Sequence, residues 1–214
     1  MSTLIISGGN ITKELVKKQL EANKYENIIA ADGGLLILDN LNILPNYIVG
    51  DFDSLKSDVL KKYENNELVS IRKYNPEKDY TDTHIALKLA LEISKKQITI
   101  LGATGTRIDH MISNIHILKE SLNKNITCKI VDLNNEIQLI NKNTQIKQDE
   151  RYKYISLIPL TTTVEGLTLK GFKYSLENEN MQIGESIGVS NELEKKHGRI
   201  ELKKGILILI KSKD

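Results

Sequence analysis

Hydrophobic positions along the first 120 residues follow two alternating rhythms. Short unbroken apolar runs occur at Leu4–Ser7, Asn27–Ala31, Tyr47–Val49, Leu68–Ile71 and Gln97–Leu101, each long enough for a buried strand. Between them lie segments with helical spacing. Thr12–Ala22 carries Leu15, Val16, Gln19 and Leu20, and Thr83–Ser94 carries Ile85, Leu87, Leu89, Ala90 and Ile93. Gly33–Leu41 and Ile108–Leu122 read the same way, as does Leu55–Tyr63, with Ser54 as its N-cap. Strands alternating with helices of this length predict an α/β domain whose mainly parallel sheet is covered on both faces.

After Leu122 the rhythm changes. Ile126–Asp132, Glu136–Ile140, Thr144–Ile146, Tyr152–Ile158, Val164–Leu169, Ser186–Val189, Arg199–Leu202 and Ile206–Lys211 are all short and strand-like, punctuated by Gly, Asn and Pro. This predicts an all-β sandwich or small barrel. The polar stretch Asn123–Asn125 is the natural linker, so the expected division is 1–122 for the α/β domain and 123–214 for the β-rich one.

Composition narrows the classes. The 214 residues hold 30 Lys+Arg against 28 Asp+Glu, a formal net charge of +2, with the two signs mixed along the chain. A dedicated nucleic-acid binder usually shows a strong basic excess, so none is expected here. The longest apolar runs, Gly34–Leu38 and Gly205–Ile210, fall far short of the roughly 20 residues of a spanning helix. Met1–Asn10 lacks the charge and apolar core of a signal peptide. Cys128 is the one cysteine, which rules out an intrachain disulfide and a multi-cysteine zinc site. A cytoplasmic protein with no membrane partner is the expectation.

The acids carry the chemistry. Asp32 ends one strand, and Asp51 and Asp53 follow another in Gly50-Asp51-Phe52-Asp53-Ser54. Asp79 and Asp82 lie in the next strand-to-helix loop, and Asp109 follows the glycine loop after Leu101. If the strands are parallel, these six aspartates meet at their carboxyl ends, where open α/β sheets bind ligands. Two carboxylates about 4 Å apart repel by roughly 4 kcal/mol at an effective dielectric near 20. Lys78 and Arg107 offset only part of this, so a hard divalent cation, most simply Mg²⁺ shared with substrate phosphate, is expected. An extended segment at Asp51–Asp53 points both carboxylates to one side. For any single aspartate a helix cap or turn role is the alternative.

The loop Gly102-Ala103-Thr104-Gly105-Thr106-Arg107 lies between a strand and a helix, so its amides could hold phosphate. It lacks the Gly-Lys-Ser/Thr ending of a Walker A loop. Arg107 offers a bidentate phosphate partner or, alternatively, an ion pair with Asp109. His110 is a nucleotide contact or a packing residue, and no histidine is assigned as general base. Ser7-Gly8-Gly9-Asn10 and Asp32-Gly33-Gly34 are further strand-end glycine pairs.

Taken in order, Ala31-Asp32-Gly33-Gly34, Gly50–Ser54, Lys78-Asp79-Tyr80-Thr81-Asp82 and Gly102–His110 with Asn114 resemble the thiamine pyrophosphokinase (thiamine diphosphokinase) family of the bacterial type. Gly166–Tyr174 and Gly188-Val189-Ser190-Asn191-Glu192 are similar to that family's C-terminal signatures. The resemblance implies transfer of the diphosphoryl group of ATP to thiamine, and a homodimer in which thiamine meets one subunit's acidic edge and the other's C-terminal domain. It implies Mg²⁺ ligands at Asp51, Asp53 and Asp82, with Asp32 catalytic in the same cleft and lining the substrate site. It places Lys78, Asp79, Thr81, Thr104, Gly105, Arg107, Asp109 and His110 in the ATP site, and Ser190 and Asn191 against thiamine. Thr106 stands where many relatives have glycine, and the chain has no Trp to stack on the substrate. Phe172 and Tyr174 are expected in the core or sheet rather than at the ligand.

Other readings remain at this stage. The Asp51-Phe52-Asp53 spacing also occurs in haloacid-dehalogenase-like phosphatases, though there it usually follows the first strand. A pyrophosphokinase acting on a pterin alcohol, or a non-catalytic thiamine or nucleotide sensor, would share the acidic edge.

Overall fold

The computed structural model describes residues 1–52, 57–74 and 80–214. The chain divides into two compact units, Met1–Leu133 and Asn134–Asp214. The division falls beyond the one expected after Leu122 because the strand over Thr127–Val131 pairs in parallel with Gln97–Leu101 and belongs to the first unit.

In the first unit, β1 (Ser2–Ile6), β2 (Asn27–Ala31), β3 (Tyr47–Gly50), β4 (Ser70–Lys73), β5 (Gln97–Leu101) and β6 (Thr127–Val131) lie in the order β4-β3-β2-β1-β5-β6. All five neighbouring pairs among them are parallel. The chain runs from β1 outward to β4, then crosses back to β5 on the other side of β1. The β1/β5 pair is therefore the topological switch point, and a crevice opens at its carboxyl end.

The connecting helices are α1 (Lys13–Ala22), α2 (Gly34–Asn40), α3 (Ser57–Glu64), α4 (Asp82–Ile93) and α5 (Ile108–Asn123). Alternation explains their placement. Leu4, Ile6, Ala30 and Ile48 form one buried cluster with Val16, Leu35 and Leu38 from α1 and α2. Ile5, Ile29 and Val49, the residues between, are also fully buried, and α4 lies against β1, β2 and β3. Each such side chain contributes about 1.5–3 kcal/mol relative to exposure. The expected strand Leu68–Ile71 is displaced to β4: Leu68 is exposed, and Val69 N–H closes a turn onto the Asn66 carbonyl. The expected cap Ser54 lies outside the described residues.

The second unit contains β7 (Asn135–Ile140), β8 (Thr144–Lys147), β9 (Tyr154–Pro159), β10 (Thr163–Lys170), β11 (Leu176–Gln182), β12 (His197–Glu201) and β13 (Leu207–Ser212). The antiparallel groups β7-β13-β9 and β11-β10-β12-β8 pack around one core, with Leu157, Leu207 and Leu209 meeting Val164, Leu167 and Ile200. This is a sandwich. Two expectations fail here. Ser186–Val189 is not a strand: Ile187–Ser190 is a turn in which Ser190 has φ 58°. Conversely, Leu176–Gln182 is a strand, though its sequence is largely polar. Only Met181 is buried in it, because β11 is an edge strand paired to β10. Among the described residues no helix is long and apolar enough to cross a membrane.

Candidate active site

Past the end of β1 the backbone continues to bond to the segment past β5. Ser7 N–H donates to the Leu101 carbonyl at 2.8 Å, Gly9 N–H to the Gly102 carbonyl at 2.8 Å, and Asn10 N–H to the Thr104 carbonyl at 2.7 Å. The two strand-end loops are zipped edge to edge. Glycine is required on both sides: a Cβ at Gly9 would collide with the Gly102 and Thr104 carbonyls, and Gly102, at φ 69°, has no room for one against the Ser7 carbonyl. From below, buried Asn114 of α5 donates its side-chain amide to the Ala103 carbonyl at 2.8 Å. Thr106 is not among the positive-φ residues, so the loop accepts a β-branched side chain where many relatives have glycine.

These loops floor a cavity of about 600 Å³. Its walls are Ser7–Asn10, Ala31 and Asp32 on one side, Thr81–Thr83 on another, and Gly102–Arg107 with His110, Met111 and Asn114 on a third. Thus Asp32, Asp82, Thr81, Thr104, Gly105, Arg107 and His110, all singled out from sequence, share one space. Ser7, Asn10, Thr83 and Met111 line it too, though the roles were assigned to their neighbours Gly8, Gly9, Asp82 and His110. Hydroxyl and thioether side chains beside a glycine give no chemical signal of their own.

Asp32 sits at φ 43° directly after β2. Its N–H donates to the Val49 carbonyl at 2.9 Å and its carbonyl receives Leu35 N–H at 3.0 Å, opening α2. Asp82 occupies the first turn of α4, where a carboxylate faces the positive end of the helix dipole. Thr81 caps that helix, its hydroxyl accepting His84 N–H at 3.3 Å. Asp51 follows β3, half-buried, and does not line the cavity. Asp53, Lys78 and Asp79 lie outside the described residues. Phe52 has φ 65° and a ring buried in the α1/α2 core, so the extended geometry expected through Asp51–Asp53 does not hold at Phe52. Among the described residues no three His, Cys, Asp or Glu side chains converge tightly enough to hold a metal alone.

Arg107 and Asp109 pair with each other. Arg107 Nε donates to Asp109 Oδ1 at 3.2 Å, and a terminal guanidinium nitrogen to Oδ2 at 2.6 Å. The guanidinium holds the Asp109 carboxyl below its usual range, and the carboxylate raises Arg107 in return. Both are exposed, so this pair is weakly held and exchangeable for a phosphate. Arg107 precedes α5 and gives its N-terminus no side-chain cap, while within the first turn the Asp109 carboxylate accepts from the His110 N–H. Asp109 itself is not a cavity residue. His84 is structural, as its place in a helix suggests: it bonds Glu120 at 2.7 Å and meets the Tyr80 ring edge-on.

In the second unit, Asn191 is buried and its side chain is committed. Its Oδ1 accepts Tyr174 N–H at 3.0 Å and Glu192 N–H at 2.9 Å, and its Nδ2 donates to the Tyr174 carbonyl at 2.7 Å. Ser190 is exposed, with its N–H donating to Ser156 Oγ at 2.9 Å. Phe172 is buried as expected, but Tyr174 is 57% exposed, contrary to its expected place in the core or sheet. β10 ends at Lys170, and the chain bends at Lys173 and Tyr174, so the alternation that would have placed both rings on one side is not kept. An aromatic ring is therefore held next to Asn191 in a chain without Trp.

Comparison with known proteins agrees across both units. The thiamin pyrophosphokinase catalytic-domain model matches residues 18–130, and the thiamin pyrophosphokinase vitamin B1 binding-domain model matches residues 143–207. The thiamine pyrophosphokinase of Bacillus subtilis (strain 168) is 38% identical over 187 residues, covering 87% of each chain. The crystal structure of the Bacillus subtilis thiamine pyrophosphokinase superposes with a TM-score of 0.89 at 34% identity, covering 100% of both chains. That of Geobacillus thermodenitrificans superposes with a TM-score of 0.87 at 31% identity, covering 100% of this chain and 98% of that one.

Proposed function

The chain belongs to the thiamine pyrophosphokinase family, and from that premise we propose that it transfers the β,γ-diphosphoryl group of ATP to the hydroxyl of thiamine in the cavity at the β1/β5 switch point, releasing AMP. The observation that carries this is the meeting of Asp32 and Asp82 with the zipped glycine loops and the start of α5 around one cavity. One side of that space suits polyphosphate and another suits cations.

Attack on the middle phosphorus asks the protein for positioning and for neutralisation of charge rather than covalent chemistry. Loop amides from Gly102–Gly105 and the first turn of α5 receive phosphate oxygens. Arg107 exchanges its exposed contact with Asp109 for a phosphate, and Thr104 and His110 bound the nucleotide. Lys78 and Asp79, outside the described residues, are assigned to ATP binding by family resemblance alone. Asp51, Asp53 and Asp82 are the residues that would hold Mg²⁺. An all-carboxylate donor set suits that hard ion, which binds through few protein ligands together with substrate phosphates. When bound, it offsets the negative charge that builds on departing AMP. Asp32 lines the same space and favours the cationic thiazolium. The hydroxyl proton passes to a rim carboxylate, for which Asp32 and Asp82 are the described candidates.

On the acceptor side, Ser190 and the Tyr174 ring meet thiamine, and Asn191 acts by fixing the Tyr174 backbone. These come from a second copy of the chain, making the active enzyme a homodimer. The test is AMP release with ATP, Mg²⁺ and a panel of alcohols. AMP should form only with thiamine present and in equal amount with thiamine diphosphate. Orthophosphate without AMP, or AMP with a pterin alcohol and none with thiamine, would overturn the reading.

A further inference from the structure

Ser7 and Thr83 are 76 positions apart, yet their hydroxyls are in hydrogen-bond contact at 2.5 Å. Both residues are buried, at 6% and 7% exposure. Ser7 is the first residue past β1, fixed through its N–H to the Leu101 carbonyl at the end of β5. Thr83 is the second residue of α4, next to Asp82 and two past the cap Thr81. The contact therefore ties the switch-point edge of the sheet to the helical turn that carries a rim carboxylate. Besides the packing of α4, a buried hydroxyl that loses its partner keeps the full desolvation penalty, so the contact resists displacement of that turn.

We infer that Ser7 and Thr83 form a positioning couple that holds the first turn of α4, and with it Asp82, in register with the phosphate-binding loops for transfer. This rests on the reading above that Asp82 serves the triphosphate. The couple acts through Asp82, so its removal misaligns the reacting groups more than it weakens the bound nucleotide. A displacement on the order of 1 Å is enough to cost up to about 100-fold in rate.

Kinetics and hydrogen exchange of Ser7→Ala, Thr83→Val, the double variant and Thr83→Ser test this. Each single variant should lower kcat about tenfold while the KM for ATP, and the calorimetric dissociation constant of a non-hydrolysable α,β-methylene ATP analogue, move less than about threefold. The double variant should be no slower than the slower single one, since both delete one interaction. Thr83→Ser keeps the hydroxyl and should recover most of kcat. Amide exchange over the first turn of α4 should quicken in Ser7→Ala, a change at a site remote in sequence. Multiplying losses in the double variant, a loss confined to KM, or unchanged exchange at α4 would overturn the inference. If wild type makes no AMP with thiamine, the function reading has failed instead, and the exchange result alone still decides whether the couple holds α4.

Discussion

Tyr174 gains its place from a neighbour. Asn191 spends both ends of its amide on the Tyr174 backbone, so in the proposed reading it serves thiamine by fixing Tyr174. A Tyr face over a thiazolium or pyrimidine ring contributes on the order of 1 kcal/mol by stacking and cation–π attraction. Tyr174→Ala should therefore raise the KM for thiamine about five- to tenfold while leaving that for ATP nearly unchanged, and Tyr174→Phe should be close to wild type. Mixing Tyr174→Ala with Asp82→Asn subunits should produce a fraction of turnover with the wild-type KM for thiamine, which neither variant shows alone, since one of the two sites in a mixed dimer would be intact. No recovery on mixing would argue against a site shared between copies. Asp32, Asp82 and Arg107 were legible because charged or glycine-flanked residues after buried strands advertise themselves. Tyr174 was not: its exposure follows from the bend at Lys173 and Tyr174 past the end of β10, and an aromatic residue by itself reads as core. Phe52 misled in the same way, since its positive φ depends on where its ring finds a cavity in the core.

The elements that hold the site are bound to one another by polar contacts more than by helix propensity. Asn114 pins the glycine loop from inside α5, and Thr81 starts α4 where Asp82 is needed. Deleting the Asn114 amide leaves the Ala103 carbonyl without that donor in a buried place, at a cost of about 1–3 kcal/mol. Asn114→Ala should lower the thermal midpoint accordingly and raise the KM for ATP more than that for thiamine. The reverse order would place this loop on the acceptor side. Strands covered on both faces, such as β1, β2 and β5, could be read directly from their apolar runs. β4 and β11 could not. β4 has Leu68 exposed just outside it, and β11 is an edge whose pairing requires backbone rather than apolar side chains.

At the scale of the molecule, a mainly parallel sheet followed by an all-β sandwich or small barrel was anticipated from the change of rhythm near Leu122. The strand order was not, because pairing β1 between β2 and β5 is a tertiary choice that no local pattern encodes. That order matters most, since it creates the switch-point crevice where Asp32, Asp82 and the glycine loops meet. Metal dependence belongs to this scale as well. Chelation of divalent cations should abolish turnover, and Mg²⁺ should restore it, if the acidic rim works as proposed.

The most direct measurement is a single-turnover reaction with thiamine and ATP labelled separately at the β- and γ-phosphorus, run with wild type and with Asp82→Asn. Both labels should arrive together in thiamine diphosphate with unlabelled AMP released, and Asp82→Asn should deliver neither. The γ-label alone in the thiamine product with ADP left behind, or undiminished transfer by Asp82→Asn, would contradict the account.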